Sequence, residues 1–317
     1  MPPLILGTRG SKLALAQSNW VADALRVAHP ELDVEIKVIQ TRGDATQAAN
    51  VPLASFGEKG IFAKELESAL LAGEIDLAVH SMKDLEHTLP DGLIIAAVPK
   101  REDPRDALVG STLDALPQGA RVGTGSVRRR ALLLSRRPDL QLLEIRGNVD
   151  TRLRKFREGQ YDAICLAVAG LNRLGLQDNI TEFLDPEWFT PDPGQGAIAI
   201  ETRLDDRRVR DYLLPIDDPN SSATTAVERA FLRAMGGGCK TPLGALSVWE
   251  HIRPVSRGMV ASPDGTTILR SYYSPDFVPE PLEEQGQALA AGLQFQGAAG
   301  LLAAGTEAPR VETRGSD

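Results

Sequence analysis

The sequence predicts an α/β fold with two lobes, each a parallel-rich sheet covered by helices, followed by a third segment of weaker pattern. Three observations lead there. Short apolar runs alternate with stretches of helical period through the first hundred residues. The alternation restarts after Pro99-Lys100-Arg101-Glu102-Asp103-Pro104. A further apolar run, Ala197 to Ile200, then follows Pro191-Asp192-Pro193-Gly194-Gln195-Gly196. Taken as a strand that returns to the first lobe, this run gives two crossings, near residues 100 and 194, and a hinge between the lobes.

In the first lobe Leu4-Ile5-Leu6 is a short strand, and Gly7-Thr8-Arg9-Gly10-Ser11 turns the chain. Leu13, Leu15, Ala16, Val21 and Leu25 then recur at helical spacing. Val34, Ile36 and Val38 alternate with charges, as in a half-buried strand; Glu65 to Leu71 is a helix, and Ile75–Val79 and Leu93–Val98 are strands. In the second lobe Arg121–Gly123, Leu140–Ile145 and Ala163–Val168 are strands. They are separated by helices over Ser126–Arg136 and Val149–Glu158. After Pro219 come a helix from Ser222 to Met235, a turn at Pro263-Asp264-Gly265 and an Ala/Leu/Gln-rich helix over Leu282–Leu302. The polar last dozen residues are expected to be disordered.

With 42% hydrophobic and 25% charged residues the composition is that of a globular protein. The net charge of -8 argues against a nucleic-acid surface, yet eleven Arg and Lys face three acids between Arg121 and Arg157. A basic segment in an acidic chain suits a confined anion site, and equally a solvated helix face. Cys165 and Cys239 form no disulfide framework, and His29, His80, His87 and His251 lack metal-ligand spacing, so no metal is expected. No basic n-region opens the chain and no run is long enough to span a membrane, so a cytoplasmic location is the default.

Three strand-to-helix turns carry chemistry: Thr8-Arg9-Gly10-Ser11, Gly123-Thr124-Gly125-Ser126-Val127-Arg128-Arg129 and Arg146-Gly147-Asn148-Val149-Asp150-Thr151-Arg152. Helix N-termini present unpaired N–H groups to anions, and arginine offers a fork that fits carboxylates. Each turn is also compatible with a capped helix and solvated arginines. His80-Ser81-Met82-Lys83-Asp84 ends a buried strand in a polar cluster. Asp84 there is either a carboxylate that stabilises a developing cation or an N-cap. Cys239 follows three glycines and precedes Lys240, which suits a modifiable thiol, although a buried cysteine is the alternative; Cys165, within Ile164-Cys165-Leu166, is an inert packing residue. The eighteen residues Gly43–Gly60 have no clear period and are expected to form a mobile lid with Lys59 near its base.

Taken together these motifs resemble the hydroxymethylbilane synthase (porphobilinogen deaminase) family. To them are added Leu13-Ala14 with Gln17, Lys59-Gly60 leading to Lys64-Glu65-Leu66-Glu67, Arg101-Glu102-Asp103-Pro104-Arg105-Asp106, Ala167-Val168-Ala169-Gly170-Leu171, Gly194-Gln195-Gly196, and Gly237-Gly238-Cys239 with Pro242 and Gly244. The likeness covers about residues 4–246. It implies two lobes similar to periplasmic binding proteins and a small α+β C-terminal domain. Domain 1 would take residues 1–98 and 197–216 as the catalytic lobe. Domain 2 would take 99–196 and bind anion and cofactor, and domain 3 would take 217–317 and carry the attachment site.

The resemblance further implies a monomer that condenses four porphobilinogen molecules, with loss of ammonia, on a dipyrromethane cofactor held by a thioether to Cys239. It makes Asp84 the catalytic residue, facing pyrrole N–H groups and a cationic azafulvene. It assigns Arg9, Ser11, Lys83, Thr124, Ser126, Arg128, Arg129, Arg146 and Arg152 to the carboxylates of cofactor and substrate. Each ring bears an acetate and a propionate, which accounts for a basic crevice in an acidic protein. Three departures stand out: Leu85-Glu86-His87 follows Asp84 where Leu or Val and then Pro are usual, Gly125 stands where Ser is common, and three glycines rather than two precede Cys239. A non-catalytic binder of anionic solutes would explain the turns but neither Asp84 nor Cys239. A transferase using the free thiol of Cys239 lacks an evident His partner.

Overall fold

The computed structural model describes residues 2–41, 63–236, 241–250, 253–275 and 281–306. Two five-stranded sheets and one three-stranded sheet organise it.

The first sheet runs β2 (Val34–Val38), β1 (Leu4–Thr8), β3 (Leu77–Ser81), β10 (Ile198–Arg203), β4 (Leu93–Ala97). The second runs β7 (Gln141–Leu143), β6 (Arg121–Gly123), β8 (Ala163–Ala167), β5 (Asp106–Val109), β9 (Glu182–Leu184). The two orders are the same in form. In each, the first three strands in the order run parallel to one another, and the fourth, antiparallel to both its neighbours, is the first strand the chain makes after crossing between the sheets. The expected parallel sheets are therefore mixed. The return strand β10 belongs to the first sheet, as expected, pairing antiparallel with both β3 and β4.

Helices α1 (Lys12–Ala28), α2 (Lys64–Leu71), α3 (Val127–Arg136), α4 (Val149–Arg157), α5 (Val168–Arg173) and α6 (Arg207–Leu213) accompany these sheets. Val21, Ala22 and Leu25 of α1 pack on Leu4, Leu6, Leu77 and Val79, a period-3.6 face against alternate strand positions. Ala131 and Leu132 of α3 pack on Val122 and Cys165 in the same manner.

The third sheet is a meander of β11 (Leu243–Glu250), β12 (Arg253–Ala261) and β13 (Ile268–Tyr273), covered by α7 (Pro219–Ala234) and α8 (Leu282–Phe295). The helix α7 starts three residues before the expected Ser222, because Asp218 caps it and Pro219 supplies a preset φ at its first turn. The single C-terminal helix expected over Leu282–Leu302 is two, α8 and α9 (Ala298–Thr306). Gly297, at φ 93°, breaks the run.

Both crossings pass one buried ion pair. Glu228 of α7 has no exposure and takes both ends of the Arg101 guanidinium, at 2.6 and 3.0 Å. It also accepts from the backbone N–H of Gly194 at 2.6 Å and of Ser247 at 2.8 Å. One carboxylate thus joins the first crossing, the second crossing, α7 and β11. Glu228→Ala leaves a buried guanidinium and two N–H groups without their acceptor. It should cost about 3–5 kcal/mol, the usual penalty for breaking a buried pair from one side. Urea unfolding midpoints will measure this, and Arg101→Met combined with Glu228→Met should recover part of the loss.

Candidate active site

At the end of β3 the chain makes one 3-10 turn, Met82–Asp84, pinned by Met82 N–H to the carbonyl of Ala197 at 3.0 Å. Gly194 on the second crossing lies directly over this turn. A Cβ there would sit 2.4 Å from Met82 Cγ, and its φ of 76° favours glycine as well. Gly196, at φ 87°, would place a Cβ 2.4 Å from the carbonyl oxygen of Glu102, so the two crossings touch backbone to backbone.

Asp84 closes the 3-10 turn and caps no helix, so the N-cap alternative does not describe it. It is half-buried, and among the described residues its carboxylate accepts no hydrogen bond. Its neighbour Lys83 donates to Oε1 of Gln195 at 3.2 Å. Burial lowers the proton affinity of Lys83, and the charge of Arg129 lowers it further, against the pull of Asp84, Asp192 and Asp106.

Across from this turn stands Asp106, the first residue of β5, with no exposure. Burial alone would raise its pKa. Arg128, Arg129, the Gln195 amide and Lys83 outweigh that and hold it down to about 2. Arg128 Nη2 reaches Oδ2 at 2.8 Å, while Arg129 Nε and Nη2 reach Oδ1 at 3.0 and 2.7 Å. Their remaining groups go largely to backbone: Arg128 Nη1 to the carbonyl of Thr190 and Arg129 Nη1 to that of Cys165. Arg128 Nε is buried with no partner among the described residues. The two arginines expected to meet ligand carboxylates thus already share a protein carboxylate.

Arg152 is spent differently. Its Nε donates to the carbonyl of Gly147 at 2.8 Å, and no acceptor faces its terminal nitrogens among the described residues. Burial, then repulsion from Arg129, brings it down to about 10, with Asp84 acting the other way. Arg152 of the second lobe and Asp84 of the first are therefore electrostatic neighbours. Arg146 pairs with Glu144 through Nε at 2.6 Å and through Nη2, and Arg9 is half-buried in the turn after β1.

The hydroxyls do local work. Ser11 Oγ accepts from Ala14 N–H at 3.2 Å to cap α1, Ser126 Oγ from Arg129 N–H at 3.4 Å to cap α3, and Thr124 Oγ1 from Ser126 N–H at 3.2 Å. Lys12 at the start of α1 reaches Asp150 at the start of α4, 2.6 Å away, across the mouth between the lobes. Cys165 is fully buried, and burial pushes its thiol up to about 12, which agrees with an inert packing role. Cys239, Lys59 and the stretch expected as a lid lie outside the described residues.

Asp106 and Gln195 fall within recognisable motifs, yet the sequence assigns neither a role. The signal available was their company: Arg128-Arg129 demanded a buried anion, and only strand position could say which acid met them. Among the described residues Lys83 and Arg152 form no ion pair, and both lie within reach of the Asp84 charge, an arrangement suited to ligands bearing several carboxylates.

Comparison with known proteins shows the family. Residues 4–211 match the family model "Porphobilinogen deaminase, dipyromethane cofactor binding domain" and residues 223–294 match "Porphobilinogen deaminase, C-terminal domain". A porphobilinogen deaminase of Roseiflexus castenholzii is 51% identical over 301 residues, 91% of this chain and 99% of that one. The Brevibacillus brevis protein of the same name is 47% identical over 302 residues, 94% and 96% of the two chains. Among solved structures, a YaeC-family lipoprotein of Enterococcus faecalis aligns at 12% identity with a TM-score of 0.43, over 69% of this chain and 93% of that one. On the two family models and the extent of these matches, the chain belongs to the porphobilinogen deaminase family.

Proposed function

We propose that the chain condenses four porphobilinogen molecules head to tail, with loss of ammonia, on a dipyrromethane primer, and releases hydroxymethylbilane by hydrolysis. Family membership supports the reaction. The observation that carries the residue roles is the placement of Lys83 and Arg152, neither in an ion pair among the described residues, beside the Asp84 carboxylate.

A dipyrromethane carries four carboxylates, and the residues present fit it. Lys83 and Arg152 would take carboxylates directly, and the buried, unpartnered Nε of Arg128 marks a further donor. Arg9, Ser11, Thr124, Ser126, Arg129 and Arg146 line the same three turns; among these, Arg129 and Arg146 would have to share charge with Asp106 and Glu144. Bound through a thioether to Cys239, the group would supply the nucleophilic α-carbon from which the chain starts.

The protein's own contribution is electrostatic. Porphobilinogen becomes electrophilic when its aminomethyl nitrogen leaves as ammonia and positive charge spreads over the pyrrole. Asp84 would stabilise that charge by holding a carboxylate near the ring N–H, and a half-buried site makes the attraction stronger than it would be in water. Lys83 and Arg152 would fix the substrate's acetate and propionate, so that the reacting carbons meet in register. A purely solute-binding role for the lobes is not favoured, given the named relatives. Among the described residues no helix is long and apolar enough to cross a membrane.

Intact mass under denaturing conditions tests the reading: a covalent excess of two pyrrole units is expected in the wild type and none in Cys239→Ser, which should fold without turnover. A wild-type mass equal to that of the bare polypeptide would sink the primer. Asp84→Asn keeps shape and removes charge. Turnover should fall on the order of a hundredfold or more, the scale of losing one electrostatic stabiliser, while KM changes little. Equal turnover, measured on protein loaded with preformed tetrapyrrole, would reassign the carboxylate to structure. Arg152→Met should raise KM for porphobilinogen roughly 10- to 100-fold, as expected for one lost charge-assisted bond. An unchanged KM would show Arg152 idle.

A further inference from the structure

Gln195 sits on the second crossing with 1% of its surface exposed, and its polar groups bond to both lobes. Its backbone N–H donates to the carbonyl of Asp192 at 2.9 Å, and its carbonyl accepts from Arg101 Nε at 2.9 Å. The side-chain nitrogen donates to the carbonyl of Pro104 at 2.8 Å and to Asp106 Oδ1 at 3.0 Å. The side-chain oxygen accepts from Lys83 Nζ at 3.2 Å and from Arg129 Nη2 at 3.4 Å. Chemistry fixes the amide's orientation. Its oxygen faces two cations and its NH2 faces a carboxylate and a carbonyl, so the flipped amide would set donor against donor and acceptor against acceptor.

We propose that Gln195 is a positioning residue for Lys83, holding the protonated ammonium at the junction of the lobes beside Arg129. The proposal deepens the reading of Lys83 as a cofactor-binding lysine and rests on it. Among the described residues, the charged groups that act on Lys83 are Arg129 from α3, Asp106 from β5, Asp192 from the second crossing and Asp84 from its own turn. Of the carboxylates, Asp106 is committed to Arg128 and Arg129. An ammonium crowded by a guanidinium in a half-buried site needs a local acceptor to keep its proton.

A carboxamide meets the requirement where other side chains do not. A carboxylate at this position would hold Lys83 as an ion pair, in competition with ligand carboxylates, and would abut Asp106. An aliphatic side chain would leave Lys83, Arg129 and Asp106 each one partner short. The amide oxygen takes one of the three ammonium protons at a long, moderate distance and leaves two for a ligand. Because the same amide also bonds Asp106, the position of Lys83 in the first lobe is tied to the anion that organises the second.

The protonation curve of Lys83 tests this without recourse to turnover. Brief amine acylation of the holoenzyme over a range of pH, followed by peptide mass spectrometry, gives the midpoint at which Lys83 becomes reactive. In Gln195→Met that midpoint should move to lower pH by about one unit, a tenfold loss of proton affinity. Gln195→Asn, one methylene too short to span Lys83 and Asp106, should move it the same way with less disturbance of packing. KM for porphobilinogen should rise more than kcat falls. The extra KM effect should vanish in a Lys83→Arg background, since arginine stays charged without help. A Lys83 midpoint unchanged in both variants overturns the proposal. The two-pyrrole mass excess separates this failure from that of the cofactor reading. If the wild type carries it while the midpoint stays fixed, only the role of Gln195 falls. If the excess is absent while the midpoint moves, the cofactor reading falls and the Gln195–Lys83 contact stands.

Discussion

A carboxylate without access to water must find its partners inside the protein, and Asp106 finds two guanidinium groups and an amide. Much else depends on that choice. The ion pairs bring α3 and β5 together, although seventeen residues of chain separate them, and they hold the second crossing against the first through Gln195. They also decide which cations are left. Arg128 and Arg129 are paired with Asp106, whereas Lys83 and Arg152 are half-buried cations without an ion pair among the described residues. Both lie close enough to Arg129 for its charge to lower their proton affinity. A buried pair of this kind adds little net stability over a well-packed apolar equivalent. Its value here lies in fixing geometry and in leaving neighbouring charges unsatisfied.

The sheet orders explain why the crossings are so well placed. In each five-stranded sheet the antiparallel strand is the one reached directly from a crossing: β5 begins two residues after Pro104 and β10 two residues after Gly196. The ends of these strands nearest the crossings are therefore the ends nearest the other lobe. Asp106 occupies that end of β5, and Ile198 of β10 pairs with Ser81, next to the turn bearing Lys83 and Asp84. The connection between the lobes and the polar cluster are built from the same few residues. A change at Gln195 or Gly194 would accordingly be felt in the site and not only in the linker.

The sequence disclosed the lobes well because their helices and strands obey clear periods: α3, α4, β2, β6 and β8 lie within a residue of where spacing put them, and α1 runs three residues past the periodic positions. The short antiparallel strands β5 and β9 were not visible, since four and three residues give no measurable alternation and β5 is buried along its whole length. Register in the sheet, not local pattern, makes Asp106 a buried anion. For that reason Arg128 and Arg129 looked free to bind ligand, and Ser11 and Ser126 looked as apt for a ligand as for the helix caps they form. The break at Gly297 was hidden for the opposite reason, because Ala and Leu on both sides continue the helical pattern through a glycine whose positive φ only the fold reveals.

Charge is sorted across β3 as well. His80, whose side chain leaves the strand opposite Ser81, lies 3.1 Å from the fully buried Glu201 of β10, and Glu67 of α2 joins them. Burial, and then the charge of Glu201, raises Glu67 to about 7, so at neutral pH it retains much of its proton. Nearby, Arg229 of α7 donates to the carbonyls of Glu86 and His87, just beyond the turn that carries Asp84. The acidic residues on this side are thus offset by a proton and by neighbouring cations. On the other side Ser81 exchanges hydrogen bonds with Gln17 of α1, both of them neutral. Asp84 itself lies close enough to Lys83 and Arg152 for its charge to raise the proton affinity of both, so an anionic ligand bound at those two cations would compete with it directly.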